Sequence, residues 1–378
     1  MLYLDHAATT PVRPEVRAAM LPYLTDRFGN PSSHHTVGEA AAAALDDARS
    51  RVAAVLGMRA GDIVFTAGGT EADNLAIKGL AIGAALRRGT PVHVITTPIE
   101  HEAVLASCDY LERVHGYSVT HVGVDPTGLV DPAAVAAAIR PHTALVTIGY
   151  ANNEVGTVQD AAALARVTSA AGIPLHLDAV QGAGWLPLRD TGADALSIAG
   201  HKIGAPQGTG ILAVRGRLPL EPLVHGGGQE RGRRSGTENV AGAVAVALAL
   251  ELAEAERDEA ATCVAALRDA FITRVLAHVP SARLTGHPVQ RLPGTASFTF
   301  AGTSGEAVLL ELERRGVVSS SGSACAAGSD EPSHVLLALG ISPEVAQTSV
   351  RFSFGHGLRT DLAPVADAVA AAVAAVGR

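Results

Sequence analysis

The chain predicts a layered α/β protein followed by a smaller α+β unit. Three observations carry this: strand-like and helical stretches alternate through the first two thirds, one long helical run follows, and the tail resumes with strands and helices of its own. With 378 residues, a large core and two domains are within reach.

The strand-like stretches of the first part are Ile63 to Thr66, Val92 to Thr96, Ser118 to Val122, Ala144 to Ile148 and Pro174 to Leu177, separated by Ala- and Leu-rich helical segments. After the Gly226-Gly227-Gly228 turn, the helical run extends from about Asn239 to about His278. The tail offers strands at Ala296 to Phe300 and Ser349 to Phe354, with helices around Glu306 to Arg315, Ser333 to Leu339 and Leu362 to Val376. Hydrophobic residues make up 48% of the chain but aromatics only 3%, so Ala, Val, Leu and Ile must build most of the core.

A net charge of −8 argues against a broadly nucleic-acid-binding surface, although it leaves room for a local basic patch such as Arg231 to Arg234. The first residues, Met1 to His6, lack the features of a secretory signal, and charges interrupt the Ala-rich segments before they reach spanning length. The expectation is a cytoplasmic protein without membrane association. Cys108, Cys263 and Cys325 show no metal-type spacing, so no metal site is expected, and a sparse, odd set suits a reducing compartment.

The chemistry begins at Lys202. It ends the run Leu196-Ser197-Ile198-Ala199-Gly200-His201-Lys202, where an apolar strand delivers an amine into a glycine-containing turn. About twenty residues earlier, Leu175-His176-Leu177-Asp178 sets a carboxylate at the end of another strand. A Schiff-base lysine and an aspartate for a pyridinium nitrogen are together how proteins hold pyridoxal phosphate. Each residue alone also fits a solvated turn or strand end.

Five further segments join this pair. Thr66-Ala67-Gly68-Gly69-Thr70 follows a strand and opens a helix, an arrangement that binds phosphate through free N–H groups and the helix dipole but also serves as a plain tight turn. His101 stands where a strand gives way to a helix, suited either to stacking on a cofactor ring or to a polar surface. Asn152-Asn153-Glu154 ends another strand, where asparagines form turns or donate to a bound group. Arg351 alternates with Phe352 on a strand, and its guanidinium suits either a two-point carboxylate clamp or a structural ion pair. Last, Cys325 lies in a Ser/Gly/Ala-rich stretch from Val317 to Pro332, a composition suited to carrying a thiol between a buried substrate and an outside acceptor. Cys108 and Cys263 fall in helical patterns and read as small buried hydrophobes.

Taken in order, Tyr3-Leu4-Asp5-His6-Ala7-Ala8-Thr9, Phe28-Gly29-Asn30-Pro31, Gly69-Thr70-Glu71-Ala72-Asp73-Asn74, Asn152-Asn153-Glu154, Gly200-His201-Lys202, Arg234-Ser235-Gly236-Thr237 and Ser321-Gly322-Ser323-Ala324-Cys325 resemble the motifs of cysteine desulfurases of the NifS/IscS type, class V, fold-type I pyridoxal-phosphate enzymes. The resemblance implies a large domain over 16–246, with a mostly parallel seven-stranded sheet flanked by helices. It implies a smaller α+β domain from 1–15 and 247–378 carrying the cysteine loop at about 319–332. Lys202 would carry the cofactor, pyridoxal 5'-phosphate. Asp178 would pair the pyridinium nitrogen, Gln181 the phenolate oxygen, and His101 would stack on the ring and move protons.

By the same resemblance Gly69, Thr70, Ser197 and His201 surround the phosphate, with Thr237 supplied by the neighbouring subunit of a homodimer with shared active sites. Asn30, Asn153 and Arg351 would hold the substrate carboxylate, with Asn153 also near the cofactor. Catalysis would fall to Lys202, His101 and Cys325, converting L-cysteine to L-alanine and leaving sulfur on Cys325 as a persulfide. An acceptor protein, an iron–sulfur scaffold or a tRNA-thiolating enzyme, would collect it. The sequence departs at Ala199, where many relatives carry a serine, so one phosphate hydroxyl is missing. Rival readings are another class V reaction, such as transamination or selenocysteine cleavage, and a binding protein that kept the fold alone.

Overall fold

The computed structural model describes residues 1–322 and 331–377. Its strands are β1 (Leu2–Tyr3), β2 (Ile63–Thr66), β3 (His93–Thr96), β4 (Ser118–His121), β5 (Thr143–Gly149), β6 (Leu175–Asp178), β7 (Ala195–Ala199), β8 (Gly210–Val214), β9 (Ala282–Leu284), β10 (Thr295–Phe300), β11 (Val317–Val318) and β12 (Ser349–Ser353). Seven of them form one sheet in the order β2-β8-β7-β6-β5-β3-β4. The run from β7 to β4 is parallel, and β8 runs antiparallel to both its neighbours.

The period-two pattern of these strands splits their side chains between two cores. Ile63, Ile95, Val146 and Ile211 face a core shared with the helices Thr36–Leu56 and Ala161–Ala170. Their neighbours Val64, Val94, Leu145 and Leu212 face the helices Gly69–Arg88 and Glu102–His115 on the other side. Because both faces are covered, the central strands are almost continuously apolar. That leaves the carboxyl ends of β3, β5, β6 and β7 as the open edge where a ligand can bind.

A smaller sheet, β12-β10-β9, is antiparallel throughout. Its core gathers Phe298, Phe300, Phe352 and Phe354 around Phe271, and it recruits Leu4 from the N-terminus. The helix Val240–His278 links the two bodies. Every residue from Val240 to Ala247 is buried, and from Ala243 they join the first core, which continues through Leu250 and Ala253. Beyond Ala260 the buried positions thin to Val264, Arg268, Phe271, Ile272 and Val275, the single stripe of a helix lying on a sheet. Asn239 caps its start by accepting the Gly242 N–H at 2.9 Å.

Candidate active site

A cavity of about 350 Å³ opens at the carboxyl edge of the large sheet. Each strand contributes the residue that follows or ends it. His101 comes after β3, Asn152 and Asn153 after β5, Asp178 and Gln181 from the end of β6, and His201 and Lys202 from the turn after β7. Gly69 and Thr70, at the head of the helix Gly69–Arg88, close one side, and Arg351 of β12 closes the other. Nine expected site residues therefore meet in one space: Gly69, Thr70, His101, Asn153, Asp178, Gln181, His201, Lys202 and Arg351 line it.

The N-terminal segment is the part of the site whose role the sequence did not disclose. Lys202 Nζ donates to the carbonyl oxygens of Ala7 at 2.5 Å and Ala8 at 2.7 Å, and Gln181 Nε2 donates to Ala7 at 3.1 Å. Thr10 Oγ1 donates to the His201 carbonyl, and His201 Nδ1 pairs with Thr9 Oγ1 at 3.1 Å. The motif Leu4 to Thr9 was the only signal that could have pointed there.

Glycines shape the anion end. Gly68 adopts φ +149°, and a Cβ on Gly210 would sit 2.6 Å from the Gly68 backbone, so both positions require glycine. A Cβ on Gly69 would come within 2.7 Å of Val180 Cγ2. The helix Gly69–Arg88 has no side-chain cap, which leaves its first N–H groups available to an anion. Ala199 lines this region with no hydroxyl to add.

A buried polar layer forms the cavity floor and continues beneath it, with Asp178, Glu100 and Asp73 on the lining. Burial pushes the Asp178 carboxyl up, while the Val180 N–H at 2.9 Å, His101 and Lys202 pull it back. Glu100 is pushed up to about 8 by burial, although it accepts from Thr97 Oγ1 and the Gly149 N–H, each at 2.6 Å. Asp73 is held well above the carboxylate range by burial and by the neighbouring Asp178. His176, pushed down to about 3 by burial, bridges Thr147 Oγ1 and Ser197 Oγ at 2.8 and 2.9 Å.

Three expected residues do not line the cavity. Ser197 is fully buried because, like His176, it points sideways off the sheet under the helix Gly69–Arg88, where it bonds His176 and Asp73; as a phosphate ligand it is corrected to a residue of the supporting layer. Asn30 is exposed, its side chain turned back to accept the Ser32 N–H. Thr237 lines a separate cleft of about 240 Å³ with Arg234 and Glu238. Cys325 lies outside the described residues. Of the other cysteines, Cys108 is buried with its thiol pushed up to about 12, whereas Cys263 is only half-buried.

The residues fit pyridoxal phosphate. Asp178 is a buried carboxyl that lines the cavity, held by the Val180 N–H, and a carboxyl so placed suits a protonated ring nitrogen. An uncapped helix start and an amine at the cavity edge supply the other two requirements.

The comparisons agree. The class-V aminotransferase family profile matches residues 2–360. The chain is 43% identical over 356 residues to a cysteine desulfurase IscS of Dictyoglomus turgidum, covering 94% of this chain and 89% of that one. It superposes on a solved NifS-like protein with a TM-score of 0.91, 33% identity and coverage of 99% and 100%. A third similar structure, SspA in complex with cysteine, gives a TM-score of 0.82 at 37% identity, covering 94% of this chain and 99% of that one. The chain belongs to the class-V aminotransferases, pyridoxal-phosphate enzymes of fold-type I. Within them it groups with the cysteine desulfurases of the NifS/IscS type.

Proposed function

We propose that this enzyme converts L-cysteine to L-alanine and passes the sulfur to Cys325. The observation that carries the reading is the meeting of Lys202, Asp178 and Arg351 at one cavity: an amine, a buried carboxyl and a guanidinium spaced around a pocket the size of an amino acid and its cofactor. When bound, pyridoxal phosphate supplies an electron sink that stabilises negative charge at the substrate's Cα.

The chain's own residues do the rest. With the cofactor bound, Asp178 would hold the ring nitrogen's proton, Gln181 would meet the phenolate oxygen and His101 would cover the ring. Gly69, Thr70 and His201 take the phosphate. Arg351, with Asn153, fixes the substrate carboxylate. Lys202 Nζ takes the Cα proton and returns one later, and His101 assists in moving protons. The Cys325 thiolate forms an S–S bond to the substrate sulfur as the Cβ–S bond breaks, its electron pair going to the carbon skeleton. Protonation of that skeleton gives alanine, and Cys325 keeps a persulfide for an acceptor thiol.

The same reading makes the enzyme a homodimer in the cytoplasm and divides each chain into units of 16–246 and of 1–15 with 247–378. Thr237, remote from its own cavity, then serves the partner's phosphate site. Asn30 is a substrate contact completed in the assembled dimer. The acceptor is an iron–sulfur scaffold or a tRNA-thiolating enzyme. Among the described residues no helix is long and apolar enough to cross a membrane, and no cluster of His, Cys, Asp or Glu could hold a metal ion.

A substrate panel tests the reaction. L-Cysteine should yield alanine without keto acid; keto-acid formation from several amino acids would favour transamination. Sedimentation analysis checks the dimer, which a monomeric mass would refute.

A further inference from the structure

Arg351 carries two partners. Its Nη1 donates to the Asn153 carbonyl at 2.9 Å, and its Nη2 pairs with Asp5 Oδ1 at 2.8 Å. The Arg351 side chain is 3% exposed, and its Nε finds no acceptor among the described residues. Asp5 is fixed by more than this pair. Its backbone bridges to Ser353, and the next two residues bond Ser353 through the His6 and Ala7 N–H groups. Arg351 is equally fixed, exchanging two backbone hydrogen bonds with Ser320.

A guanidinium so enclosed cannot swing away from Asp5 when a substrate arrives. A second carboxylate must share the same cation from the cavity side, which Arg351 lines, and so lie close to the Asp5 charge. We propose that Asp5 is a built-in counter-ion that holds down the affinity of Arg351 for amino-acid carboxylates, so that the product alanine leaves readily. The proposal rests on the reading of Arg351 as the carboxylate site. Two consequences have opposite signs. Removing the Asp5 charge leaves a buried cation uncompensated, which destabilises the fold, while the incoming carboxylate becomes its sole counter-ion, which tightens binding.

The test uses the holoenzyme and a matched pair of amines, L-alanine and ethylamine, which differ only in the carboxylate. The half-saturation concentration of each is read from the cofactor's visible absorbance, with no turnover needed. Asp5→Asn keeps the shape and the acceptor oxygen. It should tighten L-alanine by roughly five- to tenfold, leave ethylamine within about twofold, and lower Tm. Asp5→Glu should leave the ratio of the two amines near that of the unaltered enzyme. If Asp5→Asn yields no folded, coloured protein, Asp5→Ser is read on the same ratio.

An Asp5→Asn enzyme that binds L-alanine no better, or more weakly, while Arg351→Ala loses the distinction between the amines, overturns the counter-ion role alone. An Arg351→Ala enzyme that keeps the full distinction overturns the carboxylate assignment and the counter-ion role together.

Discussion

Ser333 Oγ donates to Glu154 Oε2 at 2.5 Å, joining the end of the Asn152-Asn153-Glu154 motif to the cap of the helix His334–Ala338. Gly322 lies against the same carboxyl, since a Cβ there would come within 3.0 Å of Glu154 Oε2. Glu154 thus touches chain on both sides of the segment that contains Cys325. Burial pushes its carboxyl up, and glutamine is the conservative replacement because it keeps the shape and an acceptor oxygen for Ser333. Glu154→Ala should cost about 1–3 kcal/mol of stability, the size of a buried hydrogen bond to an acid, and lower the persulfide yield while cofactor absorbance persists. Glu154→Gln should recover most of both. Denaturant titration and intact mass measure them, and equal loss in the two variants would refute the account.

Glu100 predicts a pH dependence. Its folded value, about 8, lies above its ordinary value, so its contribution to stability is fully present below the unfolded pKa and is lost as pH rises toward about 8. His176, pushed down to about 3, works from the other side: its contribution is present above the ordinary histidine value and fades as pH falls toward about 3. For protein prepared without cofactor, Glu100→Gln should flatten the loss of Tm between mildly acidic and mildly alkaline pH. An unchanged slope would contradict the burial argument.

Ala199 predicts a gain. It lies beside the helix start, and a Cβ built on Gly69 would be 3.2 Å from its methyl group. Ala199→Ser offers one more donor to the phosphate and should tighten pyridoxal phosphate by about fivefold, the yield of one modest hydrogen bond. Equilibrium reconstitution followed by absorbance gives the value. Weaker binding would mean that the hydroxyl crowds the site.

In the proposed reaction Asp178 serves as the anion for the ring nitrogen. Asp178→Asn should shift the cofactor's absorbance and cut kcat by roughly a hundredfold or more, the scale of losing one preorganised electrostatic partner. Full activity in that variant would remove Asp178 from the mechanism.

Much of this site was legible because a parallel sheet writes its binding edge into the sequence. Lys202, Asp178, His101 and Asn153 each follow or end an apolar run, and those runs became β7, β6, β3 and β5 within a residue or two. Arg351 read correctly as the face opposite Phe352, since alternation fixes direction. Ser197, placed at the phosphate by the resemblance alone, lies instead under a helix, because period two turned it into contact with Asp73 and His176. The buried carboxyls Asp73 and Glu100 went unassigned, since a carboxylate inside a helix or just before one ordinarily reads as a surface residue. β8 and β9 escaped for lack of length or charge contrast, and the carbonyls of Ala7 and Ala8 carry no side-chain signal at all.

The central claim is that sulfur leaves cysteine through Cys325. Holoenzyme and Cys325→Ala are incubated with L-cysteine, and alanine release is measured beside intact mass. The account predicts alanine with a one-sulfur adduct on the enzyme, and neither from Cys325→Ala despite its retained cofactor absorbance. Full alanine and sulfide production by Cys325→Ala would contradict it.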